Sequence, residues 1–251
     1  MRNNPSSNSH GKLSIVGNSH LDLVWLWPER VSKEKNLHTI VTSLRILEED
    51  FAVIFTMSQP KLLDDLRNDY PEIYKQVRAR VEEGRWELIG GFYVEADTHL
   101  VSGEGLVRCG LLGQKFFIRE TGKISETLWL PDTFGFSQCI PQIAKGLGMK
   151  NFYTNKMAWS AVNRFPYTAF IWESLDGSSL ISYAGQVGYE SRGYVEELLK
   201  SVQTNYQSGI FDESLIAIGY GDGGGGLNDE HYERVKRLKN FAILPQSNWS
   251  R

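Results

Sequence analysis

The chain has 251 residues, of which 41% are hydrophobic and 23% charged, and its formal net charge at pH 7 is −3. The length suits one large α/β domain or two small ones, and the composition is typical of a soluble globular protein. The slightly acidic balance excludes a broad basic surface for nucleic acid or for an anionic membrane. No run of 18 apolar residues is present, so we expect no transmembrane helix.

The start of the chain and the cysteines bear on where the protein works. Residues 1–11 are polar and predict a disordered tail without the apolar core of a secretory signal. Cys109 and Cys139 form no Cys-x-x-Cys pair, so neither a disulfide framework nor a cysteine zinc site is indicated. We therefore expect a cytoplasmic protein with no membrane partner and no nucleic-acid partner.

Apolar runs of strand length alternate with stretches of helical periodicity through most of the chain. Pro71 divides one of the longer helical stretches. The predicted strands are residues 13–16, 51–55, 86–89, 127–130, 151–153, 168–172, 179–183, 215–218 and 241–244. The predicted helices are residues 29–49, 62–81, 102–120, 141–147, 194–203 and 228–240.

This alternation predicts an α/β fold with a mainly parallel sheet covered by helices. A doubly wound sheet would carry an early Gly-x-Gly-x-x-Gly, and this sequence lacks one. We therefore expect a parallel β/α barrel. In folds of this kind, functional side chains gather at the carboxyl ends of the strands.

His20 and Asp22 stand two residues apart, just after the first predicted strand. In extended backbone, side chains two residues apart point the same way, so the imidazole and the carboxylate converge. Such a pair is a good half-site for zinc. Trp25 and Trp27 follow and could form a floor for the apolar face of a sugar. The alternative is structural: His20 caps a turn, Asp22 caps the next helix, and the tryptophans belong to the core.

Asp132 is a second anchor, at the end of the predicted strand 127–130. Pro131 before it fixes its own φ, and Gly135 after it lets the backbone turn. A carboxylate at a strand end is well placed to act on a ligand. The alternative is again structural, with Asp132 capping the helix that begins near Pro141.

Further acids follow other predicted strands. Glu95 and Asp97 come after strand 86–89, and Asp222 comes after strand 215–218, next to the glycine run 223–226. A phosphate-binding loop would continue into Gly-Lys-Ser or Gly-Lys-Thr, and the sequence after these glycines does not. The glycines therefore favour close approach of the backbone to another ligand.

His20, Asp22 and Asp132 could together supply three ligands to one metal ion. Zinc sites usually have four, so one ligand is missing or comes from substrate or water. Among the other histidines, His99 follows a predicted strand and is conceivable as a ligand, whereas His231 lies on a polar helix and is a poor candidate.

Four motifs resemble, in order and spacing, those of glycoside hydrolase family 38, the class II α-mannosidases. They are GNSHLDLVWLW at 17–27, GGFYVEAD at 90–97, LPDTFGFS at 130–137 and GYGDGGGG at 219–226. Residues 163–166 and 170–177 fit the same family between them. The resemblance extends from about residue 12 to residue 238, nearly the whole chain.

The resemblance implies a seven-stranded parallel β/α barrel of the glycoside hydrolase and deacetylase type. The C-terminal part of that barrel could be missing from this chain. Residues 12–251 would be an α-mannosidase-like catalytic domain, the N-terminal part of a longer architecture. The implied activity is zinc-dependent, retaining hydrolysis of α-linked mannose in oligosaccharides or glycans. It would proceed through a covalent glycosyl-aspartate intermediate.

Motif by motif, the resemblance assigns roles to the residues singled out above. His20 and Asp22 would be zinc ligands, and Asp132 would be both a zinc ligand and the nucleophile. Asp222 is the candidate acid/base, although some family members carry two adjacent aspartates where this chain has Asp222-Gly223.

Four further residues complete the implied sugar site. Trp25 and Phe134 would line the subsite that holds the mannose ring. Glu95 and Asp97 are alternatives for the acid/base and could instead hydrogen-bond the sugar hydroxyls.

The sequence departs from the family pattern in two respects. The fourth zinc ligand of the family is a histidine in a downstream His-Arg-Gly-like motif, and this chain has no such motif. The family's helical bundle and large β domains are also absent. We therefore expect an N-terminal fragment that binds zinc weakly and has little or no activity. Any homo-oligomer would form through the missing domains.

Two other functions stay open. A metal-dependent carbohydrate deacetylase also uses histidine and aspartate on a β/α barrel, but it would need a pair such as His-x-x-x-His, which is absent here. It would release acetate instead of mannose. A non-catalytic carbohydrate-binding relic would bind sugar equally well after Asp132→Asn.

Overall fold

The computed structural model describes residues 11–238 and 244–250. Its strands are β1 (Lys12–Asn18), β2 (Phe55–Met57), β3 (Trp86–Leu88), β4 (Thr127–Trp129), β5 (Asn151–Thr154), β6 (Ala169–Glu173), β7 (Ser179–Ala184), β8 (Glu213–Ile218) and β9 (Gln246–Trp249). Its α-helices are α1 (Glu29–Glu49), α2 (Pro60–Asp69), α3 (Pro71–Glu82), α4 (Gly103–Thr121), α5 (Ile140–Gly146), α6 (Val195–Gln203) and α7 (Asp229–Leu238). A short 3₁₀ helix, Lys156–Trp159, follows β5.

The strands form two sheets. The first has the order β3-β2-β1-β8, with β9 also paired to β1, and all of its pairs are parallel. The second has the order β4-β5-β7-β6, in which only β6 runs antiparallel. A parallel bridge between Gly90 and Leu128 lies between the sheets. The predicted α/β class is confirmed, but the described residues do not close into one seven-stranded barrel.

Alternation along β1 explains how the strand packs. Leu13 and Ile15 are each 1% exposed and belong to the core between the first sheet and its helices. Val16 points the other way, into a small core that also contains Trp129 and Tyr153 of the second sheet. The rings of Trp129 and Tyr153 stack with centroids 3.8 Å apart. The two sheets therefore share an apolar interior, and their carboxyl ends lie close together.

Helix boundaries largely follow the sequence signals. The long amphipathic stretch is divided as predicted, because α2 ends at Asp69 and α3 begins at Pro71. Ser102 caps α4 by accepting a hydrogen bond from the backbone N–H of Gly105, and Gly122 ends that helix with φ 73°. In the described ranges, no helix combines the length and apolar character needed to cross a bilayer.

The predicted strand at 51–55 is wrong. Residues after α1 form a turn in which Val53 donates to the carbonyl of Asp50, and Phe51 is 77% exposed. The strand begins only at Phe55. Three predictions fall wholly or partly outside the described residues: residues 1–10 of the predicted tail 1–11, the last two residues of the predicted helix 228–240 and most of the predicted strand 241–244.

Candidate metal and catalytic site

The chemical groups predicted from separate motifs meet at the carboxyl ends of the strands. His20 follows β1, Asp132 follows β4 and Asp222 follows β8. One ligand atom from each of these three side chains lies within 4.8 Å of the others. Parallel strands end at the same edge of a sheet, so residues from opposite ends of the chain come together here.

His20 is at the centre of the cluster and is 3% exposed. Its Nε2 lies 3.3 Å from Asp22 Oδ1 and 3.8 Å from Asp132 Oδ2, and its Nδ1 lies 3.3 Å from Glu95 Oε2. Burial lowers the pKa of His20, but the carboxylates of Glu95, Asp22 and Asp132 outweigh it and raise the pKa to about 9. Without a metal, the imidazole is thus a cation among carboxylates.

The loop after β8 places Asp222 beside this histidine. The backbone N–H of His20 donates to the carbonyl of Tyr220, and that of Asp22 donates to the carbonyl of Asp222. The loop therefore runs alongside residues 20–22, and Asp222 adopts a left-handed backbone with φ 52°. Its Oδ1 accepts a hydrogen bond of 2.7 Å from the Tyr189 hydroxyl. Aspartate tolerates this conformation better than most residues.

The glycine run 223–226 is held by protein acceptors. Its four backbone N–H groups donate to the carbonyl of Gly221, the carbonyl of His20, Thr39 Oγ1 and Ser19 Oγ. A phosphate-binding loop needs free N–H groups, so this loop does not form one. Gly226 has φ 74°, and a Cβ there would lie 2.5 Å from Ser43 Oγ and 2.7 Å from the carbonyl oxygen of Thr39. The glycine is needed for the loop to pack on α1.

Asp132 has a cationic partner that the sequence analysis missed. Lys156 Nζ lies 2.5 Å from Asp132 Oδ1, and the lysine side chain is only 5% exposed. The ammonium also lies 3.4 Å from the centroid of the Trp159 ring and 4.4 Å from that of Phe134. Lys156 lies two residues after the end of β5. Its position at the carboxyl end of a strand was therefore the signal that could have indicated it.

Every residue predicted for the site lines one cavity of about 690 Å³. Trp25 and Phe134 stand at its mouth, 56% and 74% exposed. Asp97 is exposed, and its Oδ1 accepts hydrogen bonds of 2.8 Å from the backbone N–H groups of His99 and Leu100, which lower the pKa of Asp97. Glu95 is inside, with a side chain 10% exposed. His99 lines neither this cavity nor the three-residue cluster.

Other residues at the site carried weaker sequence signals. Tyr189 packs edge-on against His20 with ring centroids 4.8 Å apart. Burial, with the charges of Asp132 and Asp222 and its hydrogen bonds to them, raises the pKa of the Tyr189 hydroxyl. Burial and then Asp222 raise the pKa of Glu190. Both follow the predicted strand 179–183 at about the distance by which Glu95 follows strand 86–89, but no motif indicated them.

The donor set fits a divalent metal ion. An imidazole nitrogen and two carboxylates converge within 4.8 Å, and Asp22 adds a third carboxylate beside His20 Nε2. Nitrogen and oxygen donors of this kind suit zinc as well as other first-row cations. Asp222, predicted as acid/base, therefore belongs to the same cluster of possible ligand atoms as the predicted ligand Asp132.

Comparison with known proteins first gives the class. The model described as "Glycosyl hydrolases family 38 N-terminal domain" matches residues 10–251. The chain therefore belongs to glycosyl hydrolase family 38, as the resemblance of its motifs predicts.

Similar individual proteins are alpha-mannosidases. The chain is 40% identical over 239 residues to human alpha-mannosidase 2C1, covering 95% of this chain and 23% of that protein. It is 37% identical over 246 residues to alpha-mannosidase G of Dictyostelium discoideum, covering 98% and 23%. An alpha-mannosidase structure from Enterococcus faecalis V583 superposes with a TM-score of 0.77 at 21% identity, covering 96% of this chain and 28% of that one. The chain thus spans about a quarter of the length of these curated relatives.

Proposed function

We propose that the chain forms the N-terminal catalytic part of a zinc-dependent retaining α-mannosidase that removes α-linked mannose from glycans. One observation carries the proposal: in a family 38 chain, ligand atoms of His20, Asp132 and Asp222 lie within 4.8 Å of one another. The cavity around them has the aromatic rim and carboxylate floor that a sugar ring requires. The free cysteines Cys109 and Cys139 favour a cytoplasmic location.

In this proposal His20, Asp22 and Asp132 hold the zinc ion. Zinc would supply Lewis-acid neutralisation of the carboxylate charge and of bound sugar hydroxyls. Lys156, buried against Asp132, balances the carboxylate charge in the protein alone. Trp25 and Phe134 would stack on the sugar at the cavity mouth, and Asp97 would contact its hydroxyls from the rim.

Asp132 and Asp222 are proposed to perform the displacement. An oxygen of Asp132 bonds to the anomeric carbon while the glycosidic C–O bond breaks and the leaving oxygen takes a proton from Asp222. A water then gives its proton to Asp222 and its oxygen to the anomeric carbon, which releases mannose and frees Asp132. Retaining enzymes hold their carboxyl groups about 5–5.5 Å apart, and inverting enzymes about 6.5–9.5 Å apart. Oxygens of Asp132 and Asp222 within 4.8 Å favour the retaining mechanism.

Glu190 is the alternative acid. A general acid must hold a proton near neutral pH, and burial and Asp222 both raise the pKa of Glu190. If Asp222 instead bound the metal, Glu190 would be free to donate. Comparing the variants Asp222→Asn and Glu190→Gln on substrates with good and poor leaving groups distinguishes them, because loss of the acid slows formation of the glycosyl-enzyme far more with the poor leaving group.

Covalent trapping tests the proposal even at low turnover. The zinc-supplemented chain is incubated with a fluorinated α-mannosyl fluoride, which forms the glycosyl-enzyme quickly and releases it slowly, and is then analysed by peptide mass spectrometry. We expect one mannosyl adduct, on Asp132, that Asp132→Asn and prior chelation each abolish. Glu126→Gln, an exposed change at the other end of β4, is the matched control.

The other outcomes identify the alternatives. An intact sugar-binding signal with no adduct would replace the hydrolase with a carbohydrate-binding relic. Release of acetate from an acetylated sugar, without any adduct, would favour a deacetylase. An adduct on a residue other than Asp132 would refute the assigned nucleophile.

A further inference from the structure

We infer that Gln59 and Glu95 form a positioning pair that fixes the His20 ring with Nε2, and not Nδ1, directed at the metal position. The inference rests on the metal site proposed above and deepens it. It gives Glu95 a role through neighbouring residues instead of a direct contact with sugar, and it gives a role to Gln59, which no motif indicated.

Both oxygens of the Glu95 carboxylate are engaged by the protein. Oε1 accepts hydrogen bonds from the backbone N–H of Asp132 at 2.7 Å and from Thr133 Oγ1 at 3.2 Å. Oε2 faces His20 Nδ1 at 3.3 Å. The same carboxylate thus connects the loop after β1 to the loop after β4. A sugar hydroxyl would have to displace one of these contacts to reach it.

The contact between Glu95 Oε2 and His20 Nδ1 fixes how the imidazole is used. Both atoms are buried, and among the described residues neither makes a hydrogen bond, which leaves the 3.3 Å ion-pair contact between them. A metal-bound imidazole carries one proton, and beside Glu95 that proton belongs on Nδ1, because a carboxylate oxygen only accepts. Nε2 then offers its lone pair on the side where Asp22 and Asp132 lie. A carboxylate behind a metal-binding histidine commonly sets the ring orientation in this way.

The Gln59 side chain links Glu95 to the segment that contains His20. Its Nε2 donates to the carbonyl of Leu21 at 2.9 Å, and its Oε1 accepts from the backbone N–H of Glu95 at 3.1 Å. Leu21 lies between His20 and Asp22. One buried amide, 5% exposed, therefore joins the segments that follow β1, β2 and β3.

The backbone of Gln59 is left-handed, which is uncommon for a residue other than glycine. In residues 11–238 and 244–250, the non-glycine residues with positive φ are Gln59 at 62° and Asp222 at 52°, and both line the candidate cavity. Such a conformation is strained for a residue with a Cβ and persists where surrounding contacts hold it. Gln59 makes two such contacts through its side chain, immediately before Pro60 begins α2.

Zinc titration of the chain by calorimetry tests the inference. Glu95→Gln keeps the size of the side chain but places an amide N–H₂ or a neutral oxygen beside His20 Nδ1. We expect zinc affinity to fall about 10- to 100-fold, the usual effect of losing such a partner. The matched control is Glu126→Gln, which removes an exposed carboxylate just before β4 and should change affinity less than about twofold.

Two further measurements separate positioning from a general structural effect. Gln59→Asn keeps tolerance of a left-handed backbone but is too short to reach both Leu21 and Glu95, so we expect about a tenfold loss of affinity with unchanged circular dichroism. Nitrogen-15 NMR of the zinc-loaded chain should show His20 coordinated through Nε2 and protonated at Nδ1.

The outcomes are distinct. Coordination through Nδ1, or equal affinities for Glu95→Gln and Glu126→Gln, would overturn the positioning pair and leave the metal site standing. A wild-type chain that binds no zinc at all would overturn both the metal site and this inference. An unfolded Glu95→Gln would shift the decision to Gln59→Asn and to the NMR assignment of the wild-type chain.

Discussion

Two buried histidines on either side of the glycine run meet opposite electrostatic surroundings. His20 is 3% exposed and His231 is 1% exposed. Burial lowers the pKa of both. At His20 three carboxylates reverse the effect and raise the pKa to about 9. At His231 the Arg234 guanidinium adds to burial, and the pKa falls to about 4.

The contacts of His231 explain why it stays neutral. Its Nδ1 accepts from the backbone N–H of Asn228 at 3.4 Å, and the backbone N–H of His231 donates to Asn228 Oδ1 at 3.0 Å. The ring packs edge-on against Tyr220 with centroids 4.8 Å apart. His231 lies in the first turn of α7 and is neutral, whereas His20 is charged. Neighbouring charges, and not burial, therefore distinguish the proposed ligand His20 from His231.

The largest effect expected from this comparison is on metal binding. His20→Gln removes the nitrogen donor at the centre of the cluster and should reduce zinc affinity by at least 100-fold. His231→Gln removes a histidine of similar burial and should leave affinity within about threefold. Calorimetric titration of both variants makes the measurement. Equal losses would mean that the two histidines do not differ in the way proposed.

The pH dependence of stability should differ in sign between the two histidines. The folded pKa of His231, about 4, lies below the unfolded value of 6.5, so the unfolded chain binds the extra proton first. Stability should therefore fall by about 3 kcal/mol as pH drops from 6.5 to 4. Urea unfolding with chelator present, compared between wild type and His231→Gln, measures this term.

His20 should affect the free energy of unfolding at alkaline pH. Its folded pKa of about 9 lies above the unfolded value, so its contribution is complete below pH 6.5 and is lost as pH rises through about 9. The same urea measurements on His20→Gln should lack this alkaline loss. A wild-type stability that is flat from pH 6.5 to 9 without metal would contradict the charged state of His20.

A change in the glycine run should disturb both regions at once. Gly226→Ala adds a Cβ about 2.5 Å from Ser43 Oγ to a residue with φ 74°, so we expect a loss of about 1–3 kcal/mol in the free energy of unfolding. Gly103→Ala, where a Cβ meets nothing within 4 Å, is the control. Equal stabilities of the two variants would show that the loop can move away from α1.

The smallest effect is expected at a surface ion pair near His231. Arg45 Nη2 lies 2.7 Å from Asp229 Oδ1, and their side chains are 46% and 65% exposed. Asp229→Asn should change the free energy of unfolding by no more than about 1 kcal/mol, because exposed pairs are screened by solvent. Chemical denaturation at two salt concentrations checks this. A larger effect would mean that the pair supports the start of α7.

The sequence predicted those site residues that lie at the carboxyl ends of predicted strands. His20, Asp132 and Asp222 each follow a buried apolar run, and parallel pairing brings such positions together. The helix break at Pro71 was predictable because proline is accepted at the first turn of a helix but not inside it. These features depend on residues that are close together in the sequence, so they can be predicted from it.

The rest depended on packing between distant segments. Nothing local marks Gln59 as left-handed or Glu95 as the neighbour of His20, since both facts arise from contacts among three loops. The strand at 51–55 was misplaced because an apolar run does not reveal that Phe51 turns to solvent. His231 lies on a helix that the sequence predicts to be polar, and only the packing of α7 buries it.

The parallel pairing of β1 with β8 sets the order of events during synthesis. His20 emerges early, but its partner Asp222 is joined to it only when β8 aligns beside β1. Pairings between such distant segments form late, because a long loop must close first. A nascent chain that stops before β8 would expose His20 and Asp132 without the backbone ladder that positions them. Metal loading would then report on completed folding, and a polypeptide released too early would be recognisable by its inability to retain the ion.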